Sequence, residues 1–252
     1  MMLLRSYAFV LWMYGLMTVM GIVCLPTLLM PRKVPLAAMA IWRRLVLWGL
    51  RMLCGITFEV RGRENMPAGG ALVAMKHQSM FETIIAWELI PDPAIILKRE
   101  LMFLPVFGWY AWKLRNIVVD RAGHSAALRK MLADARRRVK ENRQVVIFPE
   151  GTRLKPGEHI PYKPGVAALY GALEAPCVPV ALNSGLYWPA HGVLRRPGRI
   201  VFDIGAPIQP GLSRQEFMAT LEERIETASN ALLPDVSSAR DGGAPARADA
   251  SC

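Results

Sequence analysis

The chain has 252 residues, 53% of them apolar and 20% charged, with 31 Lys and Arg against 20 Asp and Glu for a formal net charge of +11. That length allows one large domain or two small ones with a sizeable core, and the low charged fraction excludes a largely disordered protein. The positive excess is unevenly spread: Glu59 is the first acidic residue, and the 58 residues before it hold six basic residues. Basic residues interleaved with Leu, Trp and Met point to a lipid surface, whereas nucleic acid calls for a basic patch on a polar face. Nucleic acid is therefore not expected as a partner.

Residues 7–30 carry no formal charge. As a helix they would extend about 36 Å at ~1.5 Å per residue, enough for a hydrocarbon core of about 30 Å, with Pro26 kinking the far end. The run exceeds the ~7–15 apolar residues of a cleaved signal, and Arg32 and Lys33 intrude before the nearest small-residue site, Ala38-Met39-Ala40. A retained membrane segment is expected. Residues 34–56 are apolar but include Arg43, Arg44 and Arg51, spaced by two helical turns. They read as an interfacial helix with arginines at the phosphate level, or as a core helix with snorkelling arginines. More positive charge follows residues 7–30 than precedes them, so the remaining domain is expected at the cytoplasmic face of a membrane, in bacteria the inner one. Cys24, Cys54, Cys177 and Cys252 form no CxxC pattern, which argues against a disulfide framework or a metal site.

Beyond residue 56, short apolar runs at 57–61, 71–75, 94–97, 116–119, 145–148, 177–181 and 199–203 read as strands. Between them, 81–89, 125–141, 166–173 and 214–232 read as helices. This alternation predicts an α/β fold: a single domain with a largely parallel mixed sheet flanked by helices, preceded by N-terminal membrane-associated helices. The expected organisation is an anchoring segment over 1–56, the domain over 57–234 and a frayed tail over 235–252.

In such sheets, sites gather where strands end and helices begin. Three strand ends carry unusual polar clusters: Lys76-His77-Gln78-Ser79-Met80-Phe81-Glu82, then Asp120-Arg121, then Pro149-Glu150-Gly151-Thr152-Arg153. On a regular helix an i,i+5 pair lies about 140° apart at ~3.6 residues per turn, so His77 and Glu82 would not meet. They meet if His77 sits in the turn before the helix and Glu82 in its first turn, and Glu82 then holds one ring nitrogen while the other acts as a general base. The competing reading is equally concrete: Ser79-x-x-Glu82 is a capping box, in which Glu82 returns to the Ser79 backbone N–H. Spacing alone leaves both open.

His77-x4-Glu82, Val119-Asp120-Arg121, Phe148-Pro149-Glu150-Gly151-Thr152-Arg153 and Val178-Pro179-Val180 occur in the order and rough spacing of four motifs. Together they resemble the glycerolipid acyltransferase family, in particular the 1-acyl-sn-glycerol-3-phosphate acyltransferases, over about residues 57 to 210. Glu82 stands where the family pattern has Asp, and Lys76 where Asn is commoner. The resemblance implies transfer of a fatty acyl group from acyl-CoA or acyl carrier protein to the free hydroxyl of lysophosphatidic acid, at a membrane, with the thioester as co-substrate and no other cofactor. It implies His77 and Glu82 as the catalytic pair. Arg153, Gly151 and Thr152 would bind the phosphate, with Arg121 and Lys98 as further partners and Glu150 orienting an Arg or the loop. The alternatives are another lysolipid acceptor, such as a lyso-ornithine lipid, or a non-catalytic lipid-binding module. Residues 101–112 are read as lining an acyl site, touching the interface, or simply core, and Arg136-Arg137-Arg138 as a solvated face or a dock for an acidic carrier protein or anionic lipid.

Overall fold

The computed structural model describes residues 1–120 and 124–234, so Arg121 and the expected tail over 235–252 lie outside the described residues. One mixed sheet is built from β1 (Ile56–Arg61), β2 (Ala71–Met75), β3 (Ala94–Lys98), β4 (Ile117–Val119), β5 (Gln144–Ile147), β6 (Cys177–Leu182) and β7 (Gly198–Ile204). The strand order is β1-β7-β6-β2-β5-β3-β4. β6, β2, β5, β3 and β4 run parallel, while β7 is antiparallel to β6 and carries β1 parallel to itself. Every expected strand and helix beyond residue 56 is found with its ends within one residue.

Burial explains the layering. All five residues of β2 are buried at the centre of the sheet, as expected for a strand covered on both faces. Alternate side chains then feed two cores. Val73 and Met75 join one with α1 (Met2–Val23), α2 (Lys33–Cys54) and α3 (Phe81–Leu89). Leu72 and Ala74 join the other with α5 (His124–Lys140), α6 (Gly165–Leu173) and α7 (Arg214–Ala231). A short helix absent from the sequence reading, α4 (Phe107–Lys113), follows Val106, whose φ of 65° is unusual for a β-branched residue.

The two N-terminal helices form a hairpin seated on the sheet rather than a detached stalk. Phe9, Met13, Val46 and Leu50 are buried in the first core, and Phe9 meets Trp188 edge-on at 5.4 Å. Gly49 lets the Trp12 indole lie against α2, where its N–H donates to the Leu45 carbonyl at 3.0 Å. α2 ends at Gly55, whose φ of 66° turns the chain directly into β1. The helix expected across 7–30 stops at Val23, and Pro26 falls in a 3-10 turn (Leu25–Leu29).

The expectation that all three α2 arginines lie at a lipid surface needs one correction. Arg43 turns inward, ion-pairing with Glu88 at 2.8 Å and donating to the Trp87 carbonyl, whereas Arg44 and Arg51 are exposed. Arg32 is likewise paired, with Asp92. Two of the six early cations thus stitch the hairpin to the domain.

Candidate active site

The five parallel strands bring their C-terminal ends to one edge, and the strand order sets the loops in a row: Ser184 after β6, His77 after β2, Glu150 to Arg153 after β5, Lys98 closing β3 and Asp120 after β4. Segments separated by more than 100 residues become neighbours because β2 is inserted between β5 and β6.

His77 lies in the turn before α3, and Glu82 is the helix's second residue. His77 Nδ1 and Glu82 Oε2 are 2.9 Å apart. The same oxygen accepts the Ser79 backbone N–H at 2.7 Å, so the two readings of this segment coexist on one carboxylate atom. Ser79 Oγ accepts the Phe81 N–H at 3.0 Å and donates to Glu82 Oε1 at 3.0 Å, a variant of the capping box. Ser184 Oγ also donates to Oε1. Glu82 is fully buried yet richly hydrogen-bonded, the condition for a carboxylate to stay inside. The imidazole stacks on Phe148, with ring centroids 4.0 Å apart and planes at 18°. Among the described residues nothing hydrogen-bonds Nε2, and the His77 side chain keeps 15% exposure. With Nδ1–H donating to Glu82, Nε2 presents a lone pair, the arrangement of a general base.

The Glu150 loop grips His77 by its main chain. Glu150 Oε1 accepts the His77 N–H at 3.4 Å, and the Leu154 N–H donates to the His77 carbonyl at 2.9 Å. Gly151 supplies the left-handed turn at φ 67° that lets the loop double back. Glu150 is buried and its Oε2 has no partner. Burial pushes its carboxyl up to about 7, against the lowering pull of its own backbone N–H and of Lys76. Lys76 itself is only 1% exposed, with Nζ 2.7 Å from both oxygens of Glu226 on α7 and 3.6 Å from Glu150. Tyr162 donates to Glu226 at 2.7 Å.

Arg153, Thr152 and Lys98 are exposed on the same edge of the sheet, and among the described residues neither Arg153 nor Lys98 makes an ion pair. Asp120 pairs with the neighbouring Arg99.

Residues 57–183 match the family model described as Acyltransferase. The chain belongs to the acyltransferase family. It is 34% identical over 196 residues to the 1-acyl-sn-glycerol-3-phosphate acyltransferase of Pseudomonas aeruginosa, covering 78% of this chain and 76% of that protein. It is 27% identical to the mouse 1-acyl-sn-glycerol-3-phosphate acyltransferase alpha over 204 residues, covering 79% of this chain and 72% of that one. The fold matches the crystal structure of the 1-acyl-sn-glycerophosphate acyltransferase from Thermotoga maritima with a TM-score of 0.76 at 23% identity, over 92% of this chain and 98% of the other. Within the family, this chain is an acyltransferase of the 1-acyl-sn-glycerol-3-phosphate acyltransferase group.

Beneath the polar edge, this acyltransferase holds an apolar cavity of about 130 Å³ between α1, α2, α3 and α4. Thr83 and Leu97 line it, each adjacent in sequence to a residue of the polar edge, Glu82 and Lys98. Met20, Met39, Trp87 and Tyr110 form much of the remaining wall. In the aromatic segment 101–112, Val106, Phe107, Tyr110 and Ala111 line the cavity, while Phe103, Leu104, Trp109 and Trp112 are exposed. In the triple arginine of α5, Arg136 and Arg137 are exposed, donating to the Ala172 carbonyl and pairing with Asp134, whereas Arg138 is buried against Glu141. Among the described residues no three His, Cys, Asp or Glu side chains converge as a metal site would require.

Sequence reasoning missed Ser184, the Lys76–Glu226 pair and the stacking role of Phe148. Phe148 opens a motif already singled out, and a flat apolar ring beside a proposed base was a usable signal. Ser184 and Glu226 lie 102 and 144 residues from Glu82, with no local pattern to connect them.

Proposed function

We propose that this acyltransferase moves a fatty acyl group from acyl-CoA or acyl carrier protein to the free hydroxyl of 1-acyl-sn-glycerol-3-phosphate, giving phosphatidic acid. The observation that carries this reading is the His77–Glu82 pair, with Nε2 free of hydrogen bonds among the described residues and Arg153 exposed on the same edge of the sheet.

His77 Nε2 takes the proton of the acceptor hydroxyl as its oxygen attacks the thioester carbonyl, and the resulting imidazolium is stabilised through Nδ1–H by the Glu82 carboxylate. The tetrahedral intermediate then expels the thiolate, breaking the C–S bond, and the proton on Nε2 goes to the departing sulfur. No covalent acyl-enzyme is required, because the thioester is already activated. General-base assistance of this kind contributes ~10²–10⁴-fold, and positioning supplies more. Arg153 offers a two-pronged donor for the acceptor phosphate, with Thr152, Lys98 and Arg121 as further contacts and Gly151 allowing close approach of the loop. Glu150 acts on the loop and on His77 rather than on phosphate, consistent with its burial.

The substrates are lipids, and the N-terminal hairpin offers a means of reaching them. α1 is long and apolar enough to cross a membrane, but it touches the domain along its length, from Ser6 at Arg195 to Gly21 at Val106. These contacts support a helix lying along the domain over one standing through a bilayer. We propose that α1 and α2 lie in one leaflet on the cytoplasmic side, with Leu11, Val19, Ile41 and Trp48 turned to the acyl chains and Arg44 and Arg51 at headgroup level.

The test is complementation of a strain lacking lysophosphatidate acyltransferase, with accumulated lysolipid as the readout. Purified wild type and His77→Ala are then compared on 1-acyl-sn-glycerol-3-phosphate and on a lyso-ornithine lipid. Rescue and turnover by wild type alone are expected on the phosphate acceptor. Equal rates for His77→Ala at equal protein level would remove the base, and turnover of the ornithine lipid alone would move the acceptor.

A further inference from the structure

The loop after β6 is clipped to the His77 turn at two adjacent residues. The Gly185 N–H donates to Gln78 Oε1 at 3.0 Å, and the Ser184 hydroxyl donates to Glu82 Oε1. Ser184 is fully buried and opens a 3-10 turn (Ser184–Leu186) whose own carbonyl is held by the Tyr187 and Trp188 N–H groups at 3.0 and 2.8 Å. Its backbone is therefore held by its own turn and not by the side chain it meets. The family match over 57–183 stops one residue short of it.

The Glu82 carboxylate has two differently furnished oxygens. Oε2 takes the Ser79 N–H and faces His77 Nδ1, while Oε1 takes two hydroxyls, one from its own turn and one from across the sheet. A carboxylate torsion is broad and roughly two-fold, and the Ser79 and His77 donors that bear on it all belong to its own turn. A donor anchored on a separate strand ties the carboxylate plane to the sheet. We infer that Ser184 is a positioning residue for the His77–Glu82 pair, its hydroxyl fixing the rotation of the carboxylate that holds the imidazole. This rests on the reading of His77 as the base. Ser184 does not meet the substrate in this assignment and acts only through Glu82.

The coupling can be read by a double-mutant cycle, because Asp at position 82 withdraws the carboxylate by one carbon–carbon bond, about 1.5 Å, and takes it out of reach of Ser184. The full chain, purified in detergent, is assayed with acyl-CoA and 1-acyl-sn-glycerol-3-phosphate. Ser184→Ala should lower kcat about tenfold and leave both KM values within about twofold, since it removes orientation and not binding. Glu82→Asp should lower kcat by about tenfold, and the double variant should fall no more than about twofold below Glu82→Asp alone. Ser184→Thr, which keeps the hydroxyl, should stay within about threefold of wild type.

A Ser184→Ala enzyme at the wild-type rate overturns the inference, as does a double variant showing the product of the single losses. Equal losses for Ser184→Ala and Ser184→Thr also overturn it, because packing and not the hydroxyl would then be responsible. Ser79 Oγ still donates to Oε1 in Ser184→Ala, and an unchanged circular dichroism spectrum is expected. His77→Ala is run alongside: full activity there defeats the base and this inference together. An inactive His77→Ala with a fully active Ser184→Ala defeats the inference alone.

Discussion

Replacing Glu82 by Gln separates the two duties that its carboxylate performs. The amide nitrogen can face either pair of partners. Turned toward Ser79 N–H and His77 Nδ1–H it would confront two donors, 2.7 and 2.9 Å away. Turned toward the Ser79 and Ser184 hydroxyls it meets groups that can rotate to accept. Gln therefore settles with its oxygen on His77, preserving the turn and the imidazole tautomer and removing only the negative charge. A hydrogen bond to a charged group contributes about 1.5–3 kcal/mol against about 0.5–1.5 for a neutral one, and a unit charge pair some 4 Å apart is worth about 4 kcal/mol at an effective dielectric of ~20. Loss of roughly 2–4 kcal/mol from the imidazolium-bearing transition state corresponds to a kcat lowered about 30- to 1,000-fold, with KM within about twofold. Initial rates of thiol release at saturating acceptor measure this, with circular dichroism confirming that α3 persists. A folded Glu82→Gln enzyme within about threefold of the wild-type rate would refute the argument and leave Glu82 a helix cap.

Four further outcomes follow from named contacts. Lys76→Met leaves the carboxylates of Glu150 and Glu226 without their cation, which should cost about 3–5 kcal/mol and lower Tm by roughly 6–20 °C at pH 8, and an unchanged Tm would mean the pair is dispensable. Glu150, held near 7 by burial, binds a proton more readily folded than unfolded, so the native state gains stability as pH falls through 7 toward the ordinary carboxylate range. Glu150→Gln should accordingly raise Tm at pH 8.5 and not at pH 5.5, and a gain confined to the lower pH would contradict the sign. Arg153→Ala should raise KM for the phosphate-bearing acceptor about 10- to 100-fold with kcat little changed, whereas an unchanged KM would move the phosphate site elsewhere. Leu11→Glu with Trp48→Glu, both on the exposed apolar face of the hairpin, should weaken sedimentation with anionic vesicles by at least about tenfold per residue, each side chain contributing about 1.5–3 kcal/mol when buried in lipid, and retention of full binding would place the lipid contact elsewhere.

Local pattern alone carried much of this protein. Five consecutive apolar residues at 71–75 dictate a strand buried on both faces, and the 81–89 segment folds as the helix its sequence announces, because both depend on periodicity and on turn chemistry within a few residues. The meeting of His77 with Glu82 was equally local, since it needed only a helix starting between them. Strand order was not local. Placing β2 between β5 and β6 is what brings Glu150 under His77 and Ser184 onto Glu82, and packing α7 on that layer delivers Glu226 to Lys76. The fate of the basic N-terminal segment was decided in the same way. Composition marked it as a lipid-seeking stretch, but an arginine beside Leu and Trp has the same sequence signature whether it faces phosphate or an internal carboxylate. Only the hairpin's docking on the sheet sends Arg43 to Glu88 and leaves Arg44 and Arg51 outside, because the partner that decides the matter lies on another element.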